Sequence, residues 1–429
     1  MSSSTDYKWP IQQRLAIVPA SVHLIVAFLG VTLLVRVLTD DASSPNSRFS
    51  GSLNLSGAIA ALLIIAAVVL LLRQRHGMLP TVLAALWLCV WTAVAVSTRG
   101  ASTETIREGV REASILAIAV IVCNARGAVT VSAATRIVQF VGFLPALLAI
   151  YQLVTHTGMD VAGNIRSNGT FAHPNSAVMF FTLALIASLW QYLDRGQRRS
   201  DAILVVLFAA AIISTFSIDG LLSMFAMMVA FGAVHSGSFR VKLVPWAVGG
   251  LTLLAFFATP LGSQRVANES STSLAAAERG EGSSLSWRLH KWKSLIPEWE
   301  ESPVFGQGLG ATTTTDATPR NKFAGYPPLN EYVRYLVETG VIGLAILLCA
   351  LTLLIRRLVR MRQEPDTPAA SHDNAPSLAM AIIVGCLVNA LADNTFLNTP
   401  TSYAAVLIIL AVLSAPALTP RGAPVPQAV

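Results

Sequence analysis

The sequence predicts an all-α fold, a polytopic integral membrane protein of about twelve transmembrane helices with one long polar loop that contains an amphipathic helix. Three observations carry this expectation. Hydrophobic residues make up 54% of the 429 residues and charged residues only 12%, about half the charged share a soluble chain uses to cover its surface. Apolar runs of about 17–25 residues, long enough to cross a bilayer, recur along nearly the whole chain. One polar stretch, 262–330, interrupts them late in the sequence.

The runs lie near 15–37, 54–72, 79–97, 113–125, 131–154, 176–193, 201–217, 219–236, 243–261, 332–355, 376–392 and 401–416. The fourth is short and must extend back through the more polar 104–112. The seventh and eighth are separated only by Ser217–Asp219 and predict a tight hairpin. The expected organisation is spans one to nine over 1–261, the loop over 262–330, spans ten to twelve over 331–416, and a tail over 417–429. The run 14–38 is too long for the apolar core of a cleavable leader, and none is expected. Cys89, Cys123, Cys349 and Cys386 each sit in an apolar run without a C-x-x-C partner, so they predict packing residues rather than disulfides or metal ligands.

An even number of spans places both termini on one side. If that side is cytoplasmic, so are Lys8, Arg14, Arg73, Arg75, Arg126, Arg195, Arg198, Arg199, Arg240, Lys242, Arg421 and the cluster Arg356, Arg357, Arg360 and Arg362. The short loops after spans one, seven and eleven then carry only Arg48, as the positive-inside bias expects. The net charge of +7 is not taken as a sign of nucleic acid, because in a membrane protein the place of each charge matters more than the sum.

The outward basic residues run against that bias and are therefore informative. They are Arg99, Arg107 and Arg111 in one loop, Arg166 in another, and Arg265, Arg279, Arg288, Lys291, Lys293, Arg320 and Lys322 in the long loop, with Arg334 at the start of span ten. A guanidinium at the membrane surface is a planar fork for phosphate oxygens. It also pairs with nearby acids or lipid headgroups, as Arg107 is placed to do beside Glu104, Glu108 and Glu112. Arg166 stands in Asn164-Ile-Arg-Ser-Asn-Gly-Thr-Phe-Ala-His-Pro-Asn175, a turn-rich polar stretch broken by Gly169 and Pro174. Irregular backbone at membrane depth lines a cavity rather than facing lipid. Arg166, Asn168, His173 and Asn175 thus form a candidate anion-binding set, with a cap for span six as the plainer reading.

Within the long loop, 262–283 reads as flexible. Then Leu285, Leu289, Trp292, Ile296 and Trp299 recur at spacings of 4, 3, 4 and 3, which predicts an amphipathic helix over about 284–300. Its apolar stripe is expected to pack on the membrane domain as a lid, with Arg288 reaching toward a site and Lys291 beside it. Ser302-Pro-Val-Phe-Gly-Gln-Gly-Leu-Gly310 superficially suggests a nucleotide loop. No strand precedes it and no Lys-Ser/Thr follows, so a tight turn with close backbone approach is expected instead. Arg334 and Glu338 share one face of span ten, where ionisable groups are costly and either pair internally or serve a site.

These residues resemble a known group. Trp287-Arg288, Trp292, the Ser302–Gly310 turn, Asn330-Glu-Tyr332 and Val337-Glu-Thr-Gly-Val-Ile-Gly343 are similar to the signature of the O-antigen ligase and polysaccharide polymerase superfamily, and the element from Arg166 to Asn175 is similar to its Arg-x-x-Gly and Pro-Asn stretch. The resemblance implies a multi-pass protein of the bacterial inner membrane, with both termini cytoplasmic and the long loop periplasmic. It implies transfer of a glycan from an undecaprenyl-diphosphate carrier to an acceptor sugar hydroxyl, with no cofactor, metal or nucleotide. Membrane lipids and, in the same pathway, a flippase and a chain-length regulator are the expected partners, and nucleic acid is not. Arg166 and Arg288 would neutralise the diphosphate leaving group. Asn168, His173, Asn175, Asn330, Arg99, Lys291 and Arg334 are candidate substrate contacts. One position departs from the pattern: the histidine that often precedes the asparagine is Leu329 here. Leucine takes no proton, so His290, Glu331, Glu338 or His173 would activate the acceptor, or the diphosphate leaves readily enough to need a weaker base. Repeat-unit polymerisation for an exopolysaccharide or O-antigen is the first expectation and ligation to a lipid acceptor the second. A transporter or flippase is the third, without the internal repeats that such folds show.

Overall fold

The computed structural model describes residues 20–40, 55–73, 78–125, 129–161, 164–270, 284–313, 327–363 and 374–415. The sequence positions Arg279, Arg320, Lys322 and Arg421, residues 271–283 of the stretch expected to be flexible, and the tail from 417 lie outside them.

Among the described residues the chain is helical throughout, apart from one small hairpin. The helices are α1 (Ala20–Leu38), α2 (Leu55–Arg73), α3 (Met78–Arg99), α4 (Thr103–Asn124), α5 (Val131–Thr155), α6 (Pro174–Asp194), α7 (Arg199–Ser214), α8 (Ile218–Val234), α9 (Phe239–Ala258), α10 (Pro260–Ser270), α11 (Ser284–Glu301), α12 (Glu331–Gln363), α13 (Ala375–Asn389) and α14 (Thr399–Leu413). Each of the twelve apolar runs coincides with one helix. Six helices, α2, α3, α5, α6, α9 and α12, are long and apolar enough to cross a membrane, and the apolar parts of α1, α8, α13 and α14 are shorter. The protein is therefore a multi-pass membrane protein. The fourth run does extend back to Thr103, where the Ser102 hydroxyl caps the helix by accepting from Thr105 N–H.

The all-α expectation holds, with one local addition: β1 (Met159–Val161) and β2 (Asn164–Arg166) form an antiparallel hairpin pairing Met159 with Arg166, because the polar stretch after α5 must satisfy its own backbone groups. One expectation needs correction. The beginning of the loop is not irregular, since α10 runs from Pro260 to Ser270 with the proline at its first position, where no N–H is needed.

Helix α6 is the axis of the bundle. It is apolar all round, and 83% of its spanning window is buried, the pattern of a helix surrounded by others. It packs against α5, α7, α8 and α14. Close approach is set by glycine: a Cβ on Gly142 of α5 would stand 3.1 Å from Phe208 and 3.2 Å from Phe180, and one on Gly220 of α8 would stand 2.0 Å from Val178. At the end that carries the chain from α6 to α7, Arg136 bonds Asp201, Gln139 bonds Ser188, and Gln191 donates to Thr135 Oγ1 at 2.6 Å. These buried polar groups are paired, as an apolar surround demands.

At the opposite end the chain links α3 to α4, α5 to α6, α7 to α8 and α13 to α14, and there the Ser302–Gly310 turn is threaded in. Gly306, Gly308 and Gly310 all have positive φ (70°, 86° and 79°), and a Cβ on Gly308 would lie 2.2 Å from Ala95 Cα. Helix α12 breaks at Gly340 (φ 64°), and the freed backbone groups are taken up by the turn. Gln307 N–H donates to Val337 and Gly308 N–H to Glu338, both at 2.8 Å, while Val341 N–H donates to Pro303 at 3.0 Å. Trp91 Nε1 donates to Phe305 and Thr339 carbonyls, both at 3.0 Å.

Candidate functional site

The site forms where three connections meet at that end. The β hairpin supplies Arg166, the start of α6 supplies His173 and Asn175, the α7–α8 turn supplies Ser217 and Asp219, and α11 supplies Arg288. Arg166 donates from Nε to the Thr215 carbonyl at 2.8 Å and from Nη2 to Asn175 Oδ1 at 2.9 Å. Arg288 Nη2 lies 2.9 Å from Asp219 Oδ2, which also accepts from Asn175 Nδ2 at 3.2 Å. The Ser217 hydroxyl is 3.0 Å from Asn175 Oδ1. Two arginines thus converge from opposite sides on one asparagine–aspartate pair.

Charge there is predominantly positive. Arg265 on α10 adds its field to that of Arg288 at Arg166. Burial lowers the Arg166 guanidinium to about 10, with the attraction of Asp219 opposing, so it is charged at neutral pH. Burial and then Arg166 push His173 down to about 4. Its Nδ1 accepts from Asn175 N–H at 3.2 Å, so the neutral ring carries its proton on Nε2 and presents a donor to the site. Among the described residues, the Nε atoms of Arg265 and Arg288, the Lys291 Nζ and both side-chain amide atoms of Asn394 are buried without a hydrogen-bond partner. Each such group carries a desolvation cost of about 1–3 kcal/mol, which a bound polar ligand would offset.

The other sequence candidates fall elsewhere. Asn168 donates to the Phe171 carbonyl at 2.5 Å and shapes the Asn168–Gly169 turn. Arg99 holds the glycine turn, donating to Gln307, Gly308 and Leu309 carbonyls at 3.2, 3.2 and 2.7 Å. Arg334 is the centre of a buried acidic hub and only 1% exposed. Around it stand Glu331 at 2.6 Å, Glu112 at 3.4 Å, Glu338 at 3.6 Å and Glu108 at 3.7 Å. Glu331 also accepts from Phe396 N–H at 2.6 Å and Leu397 N–H at 3.2 Å, and Glu338 accepts from the Thr312 hydroxyl at 2.7 Å. Both carboxylates are occupied by protein donors. Asn330 caps α12 by accepting from Val333 N–H at 3.1 Å and donates to the Leu391 carbonyl at 2.9 Å. His290 is half-buried and, two residues beyond Arg288 on the same helix, points away from it. Lys291 shares the Arg288 face; burial lowers its ammonium, with Glu298 opposing.

The lid helix corrects a further expectation. Its buried residues are Ser286, Arg288, Lys291 and Leu295, whereas Leu285, Leu289 and Ile296 of the apolar stripe are 49%, 44% and 49% exposed. The polar face turns inward because Arg288 finds its counter-charge on Asp219 there. An outward apolar face carries little penalty beside lipid. Trp292 and Trp299 lie at the margin, donating to the Pro328 and Pro303 carbonyls at 2.6 and 3.3 Å.

Sequence reasoning missed Asp219, Asp393 and Asn394. A signal existed for each: an acid in the Ser217–Asp219 turn between two apolar runs, and an Asp-Asn pair in the short link between the last two. Ionisable groups in such places are costly unless used.

Residues 203–348, from α7 into α12 and including Asp219, Arg288, Glu331, Arg334 and Glu338, match the family model described as O-Antigen ligase. That match supports the O-antigen ligase and polymerase superfamily for this chain. It covers about a third of the 429 residues, and Arg166 and Asp393 lie outside it. The match supports glycosyl transfer on lipid-linked glycans in general. A comparison with curated proteins finds no match.

Proposed function

We propose that this protein polymerises undecaprenyl-diphosphate-linked oligosaccharide repeat units into an exopolysaccharide or O-antigen at the periplasmic face of the bacterial inner membrane. The observation that carries this is the convergence of Arg166 and Arg288 on the Asn175–Asp219 pair, at 2.9 Å each, beside unpartnered buried donors. In the reaction an acceptor hydroxyl oxygen bonds to the anomeric carbon of the donor, and the bond from that carbon to the diphosphate oxygen breaks. Negative charge grows on the leaving diphosphate. Fixed guanidinium groups in a water-poor site stabilise such charge without reorganising. Asp219 holds the Arg288 side chain in place before the substrate arrives. The outward Leu285, Leu289 and Ile296 would lie against the bilayer or the carrier's polyprenyl chain.

A second reading, ligation of finished glycan onto a lipid A–core acceptor, is favoured by the description of the matching family. Deletion of the gene followed by glycan analysis separates the two. Accumulated single repeat units support polymerisation, and long polymer missing from the lipid acceptor supports ligation. An unchanged glycan profile overturns both.

A further inference from the structure

The turn between α13 and α14 holds a carboxyl and an amide that the structure leaves unspent. Asp393 and Asn394 are 8% and 5% exposed. The Asp393 carboxylate accepts from its neighbour's backbone, Asn394 N–H, at 2.8 Å. Among the described residues no cation stands in ion-pair contact with it, in contrast to Asp219 and the four acids around Arg334. Both amide atoms of Asn394 are buried without a partner among the described residues, and so is Oδ1 of Asn398 in the same turn.

The turn is held firmly. Ala390 accepts from Glu331 N–H at 2.9 Å, Leu391 accepts from Asn330 Nδ2 at 2.9 Å, and Phe396 and Leu397 donate to the Glu331 carboxylate. Asn389 ties it to α8 through Ser223, 3.2 Å away. A rigid, buried amide with both functions open is costly to retain, and the pattern of one donor beside one acceptor suits a sugar hydroxyl. Ser223 donates in turn to the Asp219 carbonyl at 2.8 Å, so the turn is tied to the Asp219 end of α8. The charges of Asp219, Arg288 and Glu331 act on Asp393, and its own acts on Arg166.

We propose that Asp393 and Asn394 form the acceptor side of the site, the Asn394 amide holding the acceptor sugar and the Asp393 carboxylate taking the proton from its attacking hydroxyl. The inference rests on the glycosyl-transfer reading above. The proton moves from the acceptor oxygen to an Asp393 oxygen as that oxygen bonds to the anomeric carbon; the electron pair of the breaking carbon–oxygen bond leaves with the diphosphate. The proton then passes to water. Burial, reinforced by the negative charge of Asp219, pushes the Asp393 carboxyl up to about 7, a match for a base working near neutrality.

The test uses the full-length protein in membranes and the lipid-linked repeat unit purified from the deletion strain, as both donor and acceptor. Asp393→Asn should lower kcat/KM about 10²–10⁴-fold, and the acidic limb of the wild-type profile, with its midpoint near pH 7, should vanish. Inhibition by undecaprenyl diphosphate should stay within about threefold in the variant, because the arginines are untouched. Asp393→Glu, which keeps the carboxyl, should recover part of the rate and retain the acidic limb. Asn394→Ala should raise KM for the repeat unit about tenfold, the loss of one or two hydrogen bonds. If Asp393→Asn keeps the wild-type rate or acidic limb, the proposal fails while glycosyl transfer stands. If Asp393→Asn and Asp393→Glu lose diphosphate inhibition together with activity, Asp393 is structural and the proposal fails. Wild-type membranes that never extend the repeat unit overturn the functional reading itself.

Discussion

Arg166 and Arg288 carry the same charge but are held differently, and this sets what their replacement does. Arg166 spends its planar fork on a backbone carbonyl and an amide oxygen, so its orientation is fixed by neutral acceptors and its charge is left for a ligand. Arg288 faces a carboxylate and keeps Nε open. Replacing either with alanine should lower transfer about 10²–10³-fold, the usual loss for one charge-stabilising donor, with normal membrane insertion. Full activity in both variants would sink the diphosphate role. Arg166→Lys should recover little of the rate, because an ammonium cannot reach both Thr215 and Asn175 in the geometry of a guanidinium. Repeat-unit extension by membranes of each variant checks this. His173, held neutral with its proton on Nε2, is a donor here; His173→Gln, which keeps a donor, should be milder than His173→Phe in the same assay.

At the scale of elements, the glycine turn and α11 frame the candidate site. The turn fits only because three residues adopt positive φ and lie against α3, α4 and the Gly340 break. Gly308→Ala should destabilise the protein by about 2–5 kcal/mol, from the left-handed conformation and a Cβ driven into Ala95. Thermal unfolding in detergent would report this as a lower midpoint, and an unchanged midpoint would mean that the turn does not lock α3 to α12. The lid predicts a topographical result. A spin label at Leu289→Cys, in a background without the native cysteines, should show lipid-like oxygen accessibility. Water-like accessibility at that position would mean that the stripe does not face the bilayer.

Across the whole molecule, the Arg334 hub joins parts far apart in sequence. Glu108 and Glu112 come from α4, Glu331 and Glu338 from α12, and Glu331 in turn fixes the turn before α14. Removing one partner of a buried ionic group leaves uncompensated charge and costs about 3–5 kcal/mol. Arg334→Met should therefore lower the amount of folded protein recovered from membranes as well as activity. A variant that unfolds like the wild type but has lost activity would instead place Arg334 among the substrate contacts.

Much of this architecture was legible along the chain. Each of the twelve apolar runs became a helix, α11 spans Ser284–Glu301 where its periodicity put it, and Arg166 and Arg288 stood out as basic residues on the side expected to face outward. Hydropathy and helical spacing are local properties, and bilayer thickness converts them into element lengths. Three-dimensional packing decided the rest. Spacing gave α11 an apolar stripe and a polar face, and only the position of Asp219 turned the polar face inward. Nothing along the sequence joins Asp219 to Arg288 or Asp393 to either, because those meetings depend on how α8, α11, α13 and α14 pack. The long polar segment was visible from composition; that α11 within it lays a charged face on the site and an apolar one outward follows from where Arg288 finds a carboxylate.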